Sequence, residues 1–149
     1  MQKMSITTQA LHKLNSFFDD YAKAFESFDT KLMSQHYAIP CTFLTDDSAQ
    51  VFTEASKLEG LFNQGTTFYK QFGIAHARPE IWSKRQWSER IAKAKVNWKY
   101  YDAGNNPVYN CDYMYVLKLD KHNKWKIEVS VSVNEKERME EWMKSVDSG

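Results

Sequence analysis

Three stretches in the C-terminal half alternate with a period of two, and no other feature limits the fold as tightly. Ala92, Ala94, Val96, Trp98 and Tyr100 alternate with Lys93, Lys95, Asn97, Lys99 and Tyr101. Tyr109, Cys111, Tyr113, Tyr115, Leu117 and Leu119 alternate with Asn110, Asp112, Met114, Val116 and Lys118; Trp125, Ile127, Val129, Val131 and Val133 alternate with Lys126, Glu128, Ser130 and Ser132. Successive side chains of a strand point to opposite faces, so each stretch reads as a strand with one covered and one wet face. The polar turns AGNNP and DKHNK join the three into an antiparallel meander. Residues 74 to 86 add a fourth strand carrying Trp82, with an interruption expected at Pro79.

The N-terminal part has a different period. Leu14, Phe18, Tyr21, Phe25 and Phe28 recur at spacings of four and three, one apolar stripe of a helix that runs to about Ser27, after a Ser5/Thr7/Thr8 cluster able to cap it. Asp29 caps a second helix, DTKLMSQHY, whose Leu32, Met33, His36 and Tyr37 share a side and which Pro40 stops. Cys41 to Thr45 and Gln50 to Thr53 flank the turn cluster Asp46-Asp47-Ser48 as a short strand pair. From Thr53 a third helix presents Leu58, Leu61, Phe62, Phe68, Tyr69 and Phe72 on one side, with Gly73 placed as its C-terminal cap. Asn134 with Glu137 three residues on reads as a capping box for a last helix carrying Met139, Trp142 and Met143, whose apolar side must cover a sheet edge or a neighbouring subunit. No internal repeat or linker interrupts this order, so residues 1–149 are expected to form one domain, a size that buries a sufficient core.

Composition narrows the function classes. Five Trp, eight Tyr and nine Phe make 15% of the chain aromatic, enough that the rings either dominate the core or line a cavity. Twenty basic and 19 acidic residues leave a formal net charge of +1, so nucleic acid is not an expected partner. The run Lys84, Arg85, Arg90, Lys93, Lys95 and Lys99 reads as a solvated outer face. The first 15 residues lack the apolar core of a signal peptide, and no stretch approaches the roughly 20 apolar residues of a membrane span, so a cytoplasmic protein without membrane contact is expected. Cys41 and Cys111 form no CxxC pair. With His12, His76 and His122 also isolated, neither a disulfide framework nor a metal site is expected, and no phosphate loop or nucleophile motif points to a cofactor.

Helices first, then a strand, a helix and a long meander make a segregated α+β pattern. At this level the chain resembles the nuclear transport factor 2-like superfamily, which includes SnoaL-like polyketide cyclases, scytalone dehydratase and ketosteroid isomerase. The resemblance extends from about Thr8 to Val133 and rests on FFDDYAKAFESFDTKLMSQHYAIPCTFL, VNWKYYDAGNNPVYNCDYMYVLKLD and NKWKIEVSVSV. It implies a cone in which a strongly curved antiparallel sheet wraps around the N-terminal helices, with a pocket at the open end. It also implies a homodimer paired through the outer sheet face, where Met114 and Val116 would be apolar.

Ketosteroid isomerase combines an Asp base with an oxyanion hole made of a Tyr and a protonated Asp. By resemblance Tyr21 takes the Tyr donor position, but the base position falls on Thr45, with Asp46 adjacent, and the protonated Asp falls near Tyr115. Neither Thr nor Tyr replaces a carboxylate base at neutral pH, which argues against steroid-type isomerisation. Candidate catalytic residues are therefore Tyr21, His36 and Asp46, for cofactor-free proton transfer, cyclisation or hydration. The ligand-binding candidates are Trp82, Trp98, Tyr109, Tyr113 and Tyr115, which would hold a small apolar or aromatic molecule. Each has a plainer reading: a helix-end histidine bonded to a carbonyl, a solvated turn, aromatic rings that fill the cone. Under that reading the chain is a non-catalytic dimeric association or ligand-binding module.

Overall fold

The alternating stretches become long strands in the computed structural model, which describes residues 9–147. Helix α1 (Leu14–Glu26) buries Leu14, Phe18, Tyr21 and Phe25 along its stripe. The Ser5/Thr7/Thr8 cap lies outside the described residues. Helix α2 (Thr30–Ser34) is capped as expected, with the Leu32 N–H donating to Asp29 Oδ1 over 3.0 Å. It is shorter than DTKLMSQHY, because strand β1 (Tyr37–Leu44) already starts at Tyr37 and runs through Pro40, which is preceded by a cis peptide bond. Tyr37 thus belongs to a strand and not to the side of a helix. Strand β2 (Ala49–Phe52) returns along β1, and helix α3 (Ala55–Gln71) comes next. Gly73 ends α3 with φ +71, a left-handed backbone that glycine adopts without a Cβ penalty.

Strands β3 (Ile74–Gln86), β4 (Ile91–Asp102), β5 (Pro107–Leu119) and β6 (Trp125–Ser132) complete one six-stranded sheet in the order β2-β1-β6-β5-β4-β3. All neighbours are antiparallel except β1 and β6, which run parallel and join the N-terminal hairpin to the end of the meander. Pro79 does not interrupt β3. The strand is at the sheet edge, where a missing N–H is tolerated, and its register shifts instead between Ile74 and His76 and between Ile81 and Ser83. The inner face carries the core expected from the alternation: Ala92, Ala94, Val96, Trp98 and Tyr100 from β4 and Cys111, Tyr115 and Leu117 from β5 are buried against Leu14, Phe18 and Phe25.

The last strand departs from its simple alternation. Trp125 and Ile127 face inward, but Leu117 pairs with Ile127 while Val116 pairs with Val129, so Glu128 is an extra residue in β6. A bulge of this kind inverts the facing of every later residue in its strand. Ser130 stands opposite Tyr115 and is 2% exposed, while Val129 and Val131 pair with Val116 and Met114 on the outer face. The expectation that Val129 and Val131 are core and Ser130 wet is corrected accordingly. The alternation also puts Asn97 on the wet side, yet Asn97 is buried, because Asp112 lies opposite it and binds its side chain.

Strand β6 stops at Ser132, opposite Tyr113, and helix α4 (Glu135–Asp147) takes over the free edge of β5. Trp142 packs edge-on against Phe72 and lies against Tyr109, so the apolar side of the last helix covers this chain's own α3 end and sheet. The phase inversion has a measurable consequence. Ile127→Ala is expected to cost about 2–5 kcal/mol, as for a buried aliphatic truncation, and Val129→Ala less than half of that. Urea unfolding of the two variants checks this, and equal losses would put Val129 back in the core.

Candidate functional site

The helices do not fill the space inside the curved sheet. A chamber of about 430 Å³ remains between α1, α3 and the inner faces of β1, β4 and β5. Its wall is mostly rings: Tyr21, Phe25, Tyr37, Phe62, Trp98, Tyr100, Tyr113 and Tyr115. Aromatic side chains are stiff and large, so when several meet at 5–6 Å the faces they cannot cover for each other stay open. Tyr113 and Tyr115 stack at 14° with centroids 5.8 Å apart, and Phe18 backs Tyr115 at 5.2 Å. Gly65 leaves the α3 side of the wall low, and a Cβ built there meets nothing within 4 Å.

Two pairs of polar groups in this wall satisfy each other. The Tyr21 and Tyr37 hydroxyls share a buried hydrogen bond of 2.7 Å, and Trp98 Nε1 donates to the Tyr115 hydroxyl over 2.9 Å. Burial pushes the pKa of Tyr21, Tyr37 and Tyr115 up, and their neighbours do not offset it. These phenols therefore act as neutral hydrogen-bond donors and acceptors across the physiological range.

The chamber adjoins a second compartment of about 360 Å³, and Phe43, Leu61, Gly65, Tyr69, Tyr113 and Ser130 line both. This vestibule adds Thr45, Ser48, Ser132, Glu135 and Lys136. Three hydroxyls converge on the Glu135 carboxylate: Tyr69 donates to Oε2 over 2.6 Å, Tyr109 to Oε2 over 2.8 Å, and Tyr113 to Oε1. Burial first, then the Glu135 charge, pushes the pKa of Tyr69, Tyr109 and Tyr113 up, so all three stay donors. The residue before Glu135 is fixed from the other side of the sheet. Asn134 Nδ2 donates to Asp112 Oδ2 over 2.9 Å, the Asp112 N–H donates to Asn134 Oδ1 over 2.8 Å, and Asp112 Oδ1 accepts from Asn97 over 2.9 Å. Asn134 thus binds Asp112 with the side chain that the sequence pattern assigns to a capping box.

The structure brings part of the predicted site together. Tyr21, Trp98, Tyr113 and Tyr115 line the chamber, and Tyr109 is buried behind it on Glu135. His36 stands elsewhere: its Nδ1 lies 2.9 Å from the Leu32 carbonyl, its ring lies against Phe17 and Tyr21, and it lines a surface depression with Lys13, Asp20 and Lys126. Burial holds its pKa below the usual histidine value, against the Leu32 carbonyl, and Lys126 adds to the lowering. Asp46 sits exposed in the turn held by the Thr45 to Ser48 hydroxyl bond and lines neither compartment. Trp82 lies on the outer face, 50% exposed, with Lys95 over its ring. Sequence reasoning missed Tyr37, Ser130, Tyr69 and above all Glu135. The one available signal was the placement of Tyr109 and Tyr113 on one inward strand face, where buried hydroxyls take hydrogen-bond partners.

Among the described residues no group of His, Cys, Asp and Glu is arranged to hold a metal ion, and no helix is long and apolar enough to cross a membrane. Cys41 and Cys111 are buried thiols, and burial pushes Cys41 up to about 11.

A family model described as NTF2-like protein (DUF6841) matches residues 12–135. Among solved structures, a domain of unknown function with a cystatin-like fold from Nostoc punctiforme is similar at TM-score 0.68 and 13% identity, over 96% of this chain and 88% of that one. An NTF-2 like protein of unknown function from Shewanella oneidensis gives 0.64 at 10% identity over 82% and 97%, and a ketosteroid isomerase-like protein from Erwinia carotovora gives 0.62 at 13% over 83% and 94%. At these identities the likeness is one of fold. A search of curated proteins finds no significant match.

The Asp112 network makes a pH prediction. Burial alone would raise this carboxyl, but the Asn97 and Asn134 hydrogen bonds and the Arg138 charge outweigh it and hold the pKa below the ordinary 3.8. A group whose folded value is the lower one contributes stability that is fully present above the unfolded value and is lost as pH falls through the folded value. Asp112→Asn is therefore expected to be less stable near neutrality and to lose less stability than the parent between about pH 5 and pH 2. Urea midpoints across that range check it; parallel curves would contradict it.

Proposed function

This chain belongs to the NTF2-like protein family DUF6841, and from that premise we propose that its cone binds a small apolar or aromatic molecule carrying at least one hydrogen-bonding group. The observation that carries the reading is the chamber of about 430 Å³, apolar in most of its wall, with the Tyr21–Tyr37 and Trp98–Tyr115 pairs turned toward it. Ligand sites have this composition: a mainly apolar cavity in which a few fixed polar groups set orientation. In a wall of paired hydroxyls a ligand oxygen can insert into a pair at no loss of hydrogen-bond count. Any chemistry is cofactor-free and rests on Tyr21 and Tyr115 polarising a carbonyl or phenol, with Glu135 the carboxylate that lines the adjoining vestibule. His36 and Asp46 line neither compartment, although the His36 ring lies against Tyr21 and the turn that carries Asp46 borders the vestibule through Thr45 and Ser48.

A thermal-shift screen with aromatic and polyketide-like compounds tests this reading. A compound at about one hundred times its dissociation constant adds about 2.7 kcal/mol of stability. Gly65→Leu is the matched control, because the new side chain enters open space in the wall. Replacing glycine inside a helix also favours the helix by up to about 1 kcal/mol. The expected result is a stable variant that no longer responds to compounds that stabilise the parent. A parent that responds to none, or a variant that responds equally, counts against the reading.

A second reading concerns the outer face and is compatible with the first. The bulge in β6 places Val129 and Val131 beside Met114 and Val116, with Leu44 next to Val131 on β1, an apolar band across the middle of the sheet. We propose that a second copy of the chain covers it, as an isologous homodimer. Sedimentation of the full chain is expected to give a dimer that Val131→Lys dissociates without unfolding. A monomer at every concentration would remove this reading.

A further inference from the structure

We propose that the ligand is an amine, with its aromatic or apolar body in the chamber and its ammonium group in the vestibule against Glu135. The inference rests on the reading of the cone as a ligand site and adds the charge and the direction of what enters it. The two compartments adjoin across Phe43, Leu61, Gly65, Tyr69, Tyr113 and Ser130, so a ligand that spans both meets rings at the inner end and a carboxylate at the outer end.

The charge at the outer end is negative and has no cation against it. Glu135 is half-buried, and among the described residues no Lys, Arg or His nitrogen comes within ion-pair distance of its carboxylate. Its partners are three phenol hydroxyls, which supply hydrogen bonds and no charge. A carboxylate offers about four lone-pair sites, so one remains for an incoming N–H. Burying a charge is unfavourable unless it is paired, and a ligand cation meets that need. The rings of Phe43, Phe68, Tyr69 and Tyr113 border the same space, and aromatic faces attract cations. An anionic head group would face the Glu135 charge at short range. A neutral hydroxyl could donate to the same remaining site but would bring no charge to it. Lys136 also reaches the vestibule, but it is exposed, where water and salt screen it.

The test is isothermal titration of the full chain with three probes of one shape: 2-(2-naphthyl)ethylamine, 2-(2-naphthyl)ethanol and 2-naphthylacetate. The amine is expected to bind about tenfold more tightly than the alcohol, and the acetate more weakly than either. Glu135→Gln is expected to erase the preference, bringing the ratio of amine to alcohol affinity to about one. In the parent protein, raising salt should weaken the amine and spare the alcohol, a readout that does not depend on the variant folding. Equal affinity for amine and alcohol, or a preference that survives in Glu135→Gln, overturns the proposal while the ligand-site reading stands. Failure of all three probes to bind the parent protein overturns both.

Discussion

A carboxylate half-buried among aromatic rings is unfavourable unless its oxygens are satisfied, and Glu135 is satisfied from two separate elements. Tyr69 comes from α3, Tyr109 and Tyr113 come from β5, and the acceptor opens α4. One side chain thus closes the triangle formed by the helix under the sheet, the central strand and the last helix. Hydrogen bonds to a charged group are worth about 1.5–3 kcal/mol each, more than those between neutral groups. The same convergence draws the hydroxyls of Tyr69, Tyr109 and Tyr113 to Glu135, while the inner end keeps the Tyr21–Tyr37 and Trp98–Tyr115 pairs among its rings. The Asp112 network on the opposite face holds Asn134 and so sets where Glu135 begins.

Much of the fold was legible in the sequence because its periods are long and clean. The helical stripe of Leu14, Phe18, Tyr21 and Phe25, the Asp29 cap, the Gly73 terminus and the alternation of β4 and β5 all appear where the pattern puts them. The failures have a common cause. Period-two reasoning carries one phase along a strand, and a single extra residue at Glu128 reverses it for Val129, Ser130 and Val131. Nothing in the residues KIEVSV marks that extra residue, because the bulge is set by pairing with β5 and β1. Likewise Tyr37 fits the helical spacing of Leu32 and Met33, yet the strand pairing with β6 claims it.

The site was legible in its apolar part. Tyr21, Trp98, Tyr113 and Tyr115 lie on strand and helix faces that point inward, and inward faces are what periodicity reports. Its charged part was not legible. His36 and Asp46 stand out for their chemistry alone, and the first is bonded to the carbonyl one turn before it while the second stays in its turn. Glu135 is hidden by a local motif: Asn134 and Glu137 read as a capping box, although the decisive contacts of residues 134 and 135 are with strands more than twenty positions away. Trp82 falls on a bulged edge strand, whose face the alternation of its neighbours does not fix.

The central claim is that the cone encloses open apolar space instead of a filled aromatic core. Xenon occupies apolar cavities that remain dry, and it needs no knowledge of the natural ligand. Diffraction from a crystal under xenon pressure measures this directly. The expected result is an ordered xenon atom between Tyr21, Phe62 and Tyr115, lost in Gly65→Leu. Side chains that close over the chamber and leave no site for xenon would contradict it.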